Sequence, residues 1–147
     1  MIPSQNFYKL LEQLEGLKLK AYLDSAGIAT IGIGTIRYPD GTQVRMGETC
    51  TKEQAYEWAK YDAEKKAVKL NQLISNITQN QFDALLLLMY NIGVGALADS
   101  TVLKRIKKGG DVREAWMMWN KARVNGKLQE VKGLTNRRIK ELDLYFS

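Results

Sequence analysis

The chain has 147 residues, 45% hydrophobic and 26% charged, with a formal net charge of +6; this suffices for one domain with a buried core, and no run approaches the roughly 20 apolar residues of a membrane span. It holds no histidine and one cysteine, Cys50, which excludes Ser-His-Asp and Cys-His nucleophile systems, His-bearing zinc sites and any intramolecular disulfide. The positive balance attracts polyanions (nucleic acid, anionic lipid or an acidic cell envelope) without choosing among them.

Phe7, Leu10, Leu11 and Leu14 recur at helical spacing and predict an amphipathic helix over about 4–14, stopped by Gly16. From Tyr22 to Thr35 the pattern changes. Ile28, Thr30, Ile31 and Ile33 are β-branched and Gly27, Gly32 and Gly34 punctuate them, which predicts strands and tight turns. Pro39-Asp40-Gly41 signals a turn, with a further strand expected over Thr42–Met46. Everything afterwards is expected to be helical. Thr51 with Gln54 and Thr78 with Gln81 form capping boxes, one opening a helix toward Leu73 and the other preceding the apolar run Ala84–Met89. Gly93 and Gly95 should break that second helix. Ser100 or Asp99 caps a short helix ended by Gly109-Gly110, Asp111 caps a tryptophan-bearing helix over Val112–Ala122, and Thr135 starts a last helix to about Tyr145.

The expected architecture is one mostly helical α+β domain over 1–147. A small N-terminal lobe over about 14–58 carries a β-hairpin or three-stranded sheet, and a connecting helix spans about 51–73. A larger helical lobe follows over about 74–147 and includes the N-terminal helix 4–14. A lobe boundary is where a binding cleft commonly forms.

Without histidine, any catalysis must use carboxylates, hydroxyls, lysine or tyrosine. Glu15 falls at a predicted helix end and Asp24 on or just after a strand, and a chain folding back as a hairpin can bring two such carboxylates to one cleft wall. Glycoside hydrolysis needs such a pair, one carboxyl donating a proton to the leaving oxygen while the other manages water or developing positive charge. Thr30 points from the next strand with a hydroxyl able to hold a water. The plain alternative is a solvated helix-terminal Glu, a turn Asp and a strand Thr.

The run Glu15-Gly16, Ala21-Tyr22-Leu23-Asp24, Gly27 and Thr30-Ile31-Gly32-Ile33-Gly34 resembles the N-terminal signature of phage lysozymes, glycoside hydrolase family 24: a Glu, eight residues, an Asp or Cys, five residues, and a Thr. Tyr90-Asn91-Ile92-Gly93 with Ser100-Thr101-Val102-Leu103 resembles the family's central motif. Trp119-Asn120-Lys121-Ala122, Gly133-Leu134 and Arg137-Arg138-Ile139-Lys140-Glu141 resemble its C-terminal block, so the resemblance runs nearly the whole chain in order. It implies a muramidase cleaving the β-1,4 bond between N-acetylmuramic acid and N-acetylglucosamine in peptidoglycan, with Glu15 as general acid and Asp24 and Thr30 handling the water. In relatives an arginine of the C-terminal helix approaches the glutamate, and Arg137 or Arg138 fits that place. Many relatives carry His where this chain has Thr35, a departure that bears on local stability more than on catalysis.

Tyr22 is expected to line the cleft, with Asn91 and Ser100 as further candidates for contacting saccharide. Trp116 is expected in the core. Gly27, Gly32 and Gly34 lack the following helix and the motif of a phosphate loop, so a hairpin is expected there. Lys104-Arg105-Ile106-Lys107-Lys108 and Arg137-Arg138 are expected as solvated helix faces, or as sites of attraction to an anionic envelope surface. A lytic transglycosylase, in which the sugar's own 6-hydroxyl attacks, shares the bond but leaves Asp24 and Thr30 without a water to handle. A basic nucleic-acid-binding domain would explain the charge but leaves the triad spacing to chance, and no nucleic-acid-binding signature appears; a non-catalytic wall-binding or membrane-disrupting module is a third class. No metal, cofactor or stable membrane anchor is expected, and a monomer is. Lys9 and Glu12 interrupt any secretory pattern. The resemblance therefore implies synthesis in a host bacterial cytoplasm and holin-dependent release to the wall, and it leaves host range and stereochemical outcome open.

Overall fold

A computed structural model describes all 147 residues, Met1–Ser147. Helix α1 spans Gln5–Glu15 and is followed by strands β1 (Lys18–Leu23) and β2 (Ala29–Gly32). Helices α2 (Lys52–Leu73), α3 (Gln79–Ile92), α4 (Val94–Ala98), α5 (Thr101–Lys108) and α6 (Val112–Met117) come next. Strands β3 (Lys121–Val124) and β4 (Lys127–Glu130) then precede α7 (Lys132–Tyr145). The chain forms two compact units, Tyr8–Lys65 and Met1–Phe7 with Lys66–Ser147. No helix is long and apolar enough to cross a membrane.

In the Tyr8–Lys65 unit, β1 and β2 pair antiparallel, with Tyr22 opposite Thr30 and Leu23 opposite Ala29. The register shifts between Lys18 and Tyr22, where the chain around Thr49 pairs instead: Ala21 N donates to Glu48 O and Cys50 N to Leu19 O, each at 2.9 Å. Ala21, Ile31 and Val44 form the buried core of this hairpin, covered by Ala29, Tyr38, Cys50 and Trp58. The strand expected over Thr42–Met46 is reduced to an isolated bridge, Arg37 with Gln43. Only Val44 of that segment is buried, so little packing favours a longer ladder. Thr51 caps α2 as its box predicts, Thr51 N donating to Gln54 Oε1 at 2.9 Å and Gln54 N to Thr51 Oγ1 at 3.1 Å.

The second unit is built on α3, capped by the Thr78–Gln81 box and buried continuously from Phe82 to Met89. A helix apolar all round must lie inside, and α7 is its main partner. Ser4 hydrogen-bonds to the buried Asp83 of α3 and accepts from Phe7 N, which ties the start of α1 to this core. Gly93 ends α3 as expected, but Gly95 does not break a helix; it lies inside α4. Trp116 is fully buried.

The helix expected over Val112–Ala122 stops at Met117, and the segment after it is a β-hairpin. Asn125 (φ 52°) and Gly126 (φ 80°) join β3 and β4 with both central residues left-handed. This is the type I′ hairpin geometry that Asn-Gly favours because its twist matches the strands. The last helix begins three residues before Thr135, whose hydroxyl accepts from Asn120 Nδ2 at 3.1 Å and does not serve as the cap.

Candidate active site

Glu15 is the last residue of α1, where Gly16 N closes the helix on Glu12 O at 2.8 Å. Its half-buried side chain lies across Gly34 in the turn after β2. A Cβ built on Gly34 would fall 2.6 Å from Glu15 Oε1 and 2.9 Å from its Cδ, so only glycine leaves the carboxylate where it is. Gly34 also sits at φ +71°, in the left-handed region that other residues enter at a cost.

Asp24 leaves the end of β1 and closes a tight loop back to β2. Its Oδ1 accepts from Ala26 N at 2.9 Å and Ile28 N at 2.8 Å, while its own N donates to Ile28 O at 3.0 Å. Such an Asx turn fixes the carboxylate and leaves Oδ2 outside these bonds. Thr30 is 3% exposed and its hydroxyl donates to Ile28 O at 2.8 Å. With its proton committed, that oxygen offers only lone pairs.

Tyr22 stands opposite Thr30 in the ladder, which puts the two side chains on one face of the hairpin. Burial, then the negative charges of Glu15 and Asp24, push its phenol above the ordinary tyrosine range. One phenol feeling both charges means that Glu15, Tyr22, Asp24 and Thr30 belong to one locality.

Thr35 closes the turn after β2. Thr35 N donates to Ile31 O and Ile31 N to Thr35 O, both at 2.9 Å. Its hydroxyl is buried without a hydrogen-bond partner, and a hydroxyl in that state carries about 1–3 kcal/mol of uncompensated desolvation. Thr35→Val is therefore expected to raise stability by about 1 kcal/mol in urea denaturation. A loss of similar size would show that the hydroxyl is bonded.

The remaining candidates lie in the other compact unit. Ser100 is buried and caps α5, donating to Leu97 O at 2.7 Å and accepting from Leu103 N at 3.1 Å; the expected saccharide contact gives way to a capping role. Asn91 is exposed and its amide oxygen accepts from Arg138 Nη2 at 2.8 Å. Arg137 and Arg138 are not a solvated face. Both are buried and both pair with Glu141, itself fully buried, with Arg137 Nε 3.1 Å and Arg138 Nε 2.7 Å from its oxygens. Trp116 Nε1 donates to the same carboxylate at 3.0 Å. The Lys104–Lys108 cluster keeps Lys104, Lys107 and Lys108 exposed, whereas Arg105 bonds Asp111 O at 2.7 Å. Burial pushes the Cys50 thiol upward, which opposes a thiolate role.

The fold is a mostly helical α+β chain with two small antiparallel two-stranded sheets, the first of which carries Tyr22 and Thr30. Residues 12–141 match the family model described as Phage lysozyme, and the chain belongs to that family. It is 39% identical to the endolysin of Salmonella phage P22 over 147 residues, covering 98% of this chain and 97% of that one. It also resembles the solved endolysin from Escherichia coli O157:H7 phage FAHEc1, with a TM-score of 0.91 and 45% identity over 100% of this chain and 94% of that chain. The muramidase domain of SpmX from Asticaccaulis excentricus gives a TM-score of 0.85 at 31% identity, covering 98% of this chain and 97% of that one.

Proposed function

We propose that this protein is an endolysin that hydrolyses the β-1,4 bond between N-acetylmuramic acid and N-acetylglucosamine in bacterial peptidoglycan. The observation that carries this reading is the seating of Glu15 over Gly34, in the turn directly after the strand of Thr30, with Asp24 held by its turn at the other end of the same hairpin. Glu15 is the general acid that protonates the leaving oxygen. Asp24 Oδ2, free of the turn's hydrogen bonds, and Thr30 Oγ1, able only to accept, each accept a hydrogen bond from a single water, whose proton passes to Asp24 as it attacks. That water then presents a lone pair to the sugar's anomeric carbon. This is single displacement with inversion, aided by the negative charge of Asp24 as the oxocarbenium-like transition state forms. The enzyme acts as a monomer and reaches the wall after holin-dependent release from the cytoplasm that made it.

Gly34→Ala tests the seat of Glu15. The new methyl group would displace the carboxylate, and wall-clearing activity is expected to fall roughly 100-fold, the scale of an ångström-sized misplacement of a catalytic group. Stability should drop by only about 1–2 kcal/mol from the left-handed backbone. Activity within a few-fold of the parent would mean that Glu15 is not positioned by this contact. Mass spectrometry of muropeptides released in heavy-oxygen water tests the reaction itself. Hydrolysis incorporates one label at each new reducing end, whereas anhydro ends without label would establish transglycosylation and defeat the assigned roles of Asp24 and Thr30.

A further inference from the structure

The Tyr8–Lys65 unit holds a pocket of about 620 Å3 that none of Glu15, Tyr22, Asp24 and Thr30 lines. Tyr38 and Trp58 wall it, their rings 4.8 Å apart and tilted by 60°, with Asp40, Glu48, Thr49 and Gln54 around the rim. In a chain of net charge +6, this lining contains two carboxylates and no lysine or arginine.

Both carboxylates are anchored through one oxygen. Asp40 Oδ1 accepts from Thr42 Oγ1 at 2.7 Å and Thr42 N at 2.9 Å. Glu48 Oε1 accepts from Arg45 N at 2.7 Å and from the Tyr38 hydroxyl at 2.8 Å. These bonds hold both groups below the usual carboxylate range, Asp40 chiefly through Thr42 and Glu48 chiefly through the Arg45 N–H. Burial, then the Glu48 bond, push Tyr38 up to about 12, so its phenol stays neutral and donating. Asp40 Oδ2 and Glu48 Oε2 lie outside all these bonds.

A neutral or anionic occupant would face two carboxylates and bring no counter-charge to them. A divalent metal would find two carboxylates with the side chains of Thr49 and Gln54, the Gln54 oxygen already accepting from Thr51 N, short of the six to eight oxygens that calcium takes. A cation with an apolar stem satisfies both halves of the lining, since ring faces attract positive charge and accept alkyl groups. We propose that this pocket binds an aliphatic primary ammonium group, with Asp40 and Glu48 as counter-charges and the Tyr38 and Trp58 rings as its walls.

That chemistry has two sources, the side chain of a basic amino acid in a peptide or a free diamine. Nuclear magnetic resonance titration of the intact protein, following the Trp58 indole N–H, separates them. Nα-acetyl-lysine amide and cadaverine are both expected to shift that resonance, and the tighter of the two identifies the source. Nε-acetyl-lysine amide should leave the resonance in place. Asp40→Asn keeps the oxygen that Thr42 bonds and removes the charge; it should weaken binding by roughly fivefold, the size of a partly exposed ion pair. No shift with either amine, an equal shift with the acetylated control, or unchanged affinity in Asp40→Asn would overturn the proposal. Because the readout is binding and not wall clearing, failure here leaves the glycosidase reading intact.

Discussion

Replacing Glu141 with alanine is expected to destabilise the protein by about 3–5 kcal/mol, the scale of removing one partner of a buried, hydrogen-bonded ion pair. Glu141 is fully buried and accepts from Trp116, Arg137 and Arg138 at once. Arg138 is fully buried as well and also donates to Trp119 O at 3.0 Å, while Arg137 donates to Leu87 O at 3.1 Å. One carboxylate therefore orients two guanidiniums that in turn hold α3, α7 and the segment after α6. Its removal takes from the core the carboxylate that these two guanidiniums share. For a chain of this length the loss corresponds to a fall in melting temperature of roughly 10 °C. Glu141→Gln should retain part of the network and lose less, because the amide still accepts from Trp116. A loss below about 1 kcal/mol in Glu141→Ala, the ordinary value for an exposed pair, would contradict this account of the network.

Local signals in the sequence carried much of the fold. The two capping boxes, Thr51 with Gln54 and Thr78 with Gln81, form as predicted because their hydrogen bonds reach only three residues along the chain. The β3–β4 hairpin was missed for a physical reason. Apolar residues from Val112 onward recur at helical spacing and predict a helix to Ala122, whereas the reversal is carried by the Asn125-Gly126 dipeptide beyond that span. The charges of α7 show a different limit. Arg137, Arg138 and Glu141 stand three and four residues apart, so their pairing is legible from spacing. Their burial is not, since it depends on α3 and α6 packing over the same face.

The candidate site divides in the same way. Glu15, Asp24 and Thr30 are visible as a spaced set, and the turn that orients Asp24 follows from an Asp-x-Ala-Gly loop that any reader of turns would expect. The seat of Glu15 on Gly34 spans nineteen positions of chain and appears only when α1 and the turn after β2 are brought together. Nor did sequence reasoning mark the Tyr38–Trp58 pocket, whose residues come from a loop and from α2 with no shared motif.

The role of Glu15 as proton donor is the central claim, and Glu15→Gln assayed on purified peptidoglycan tests it most directly. Glutamine matches the shape that lies over Gly34 but has no proton to give. The rate of wall clearing is expected to fall by about 10²- to 10⁴-fold, the usual contribution of a positioned general acid. Binding to the polymer and the melting temperature should stay close to those of the parent. A variant that still clears peptidoglycan within a few-fold of the parent rate would contradict the assignment.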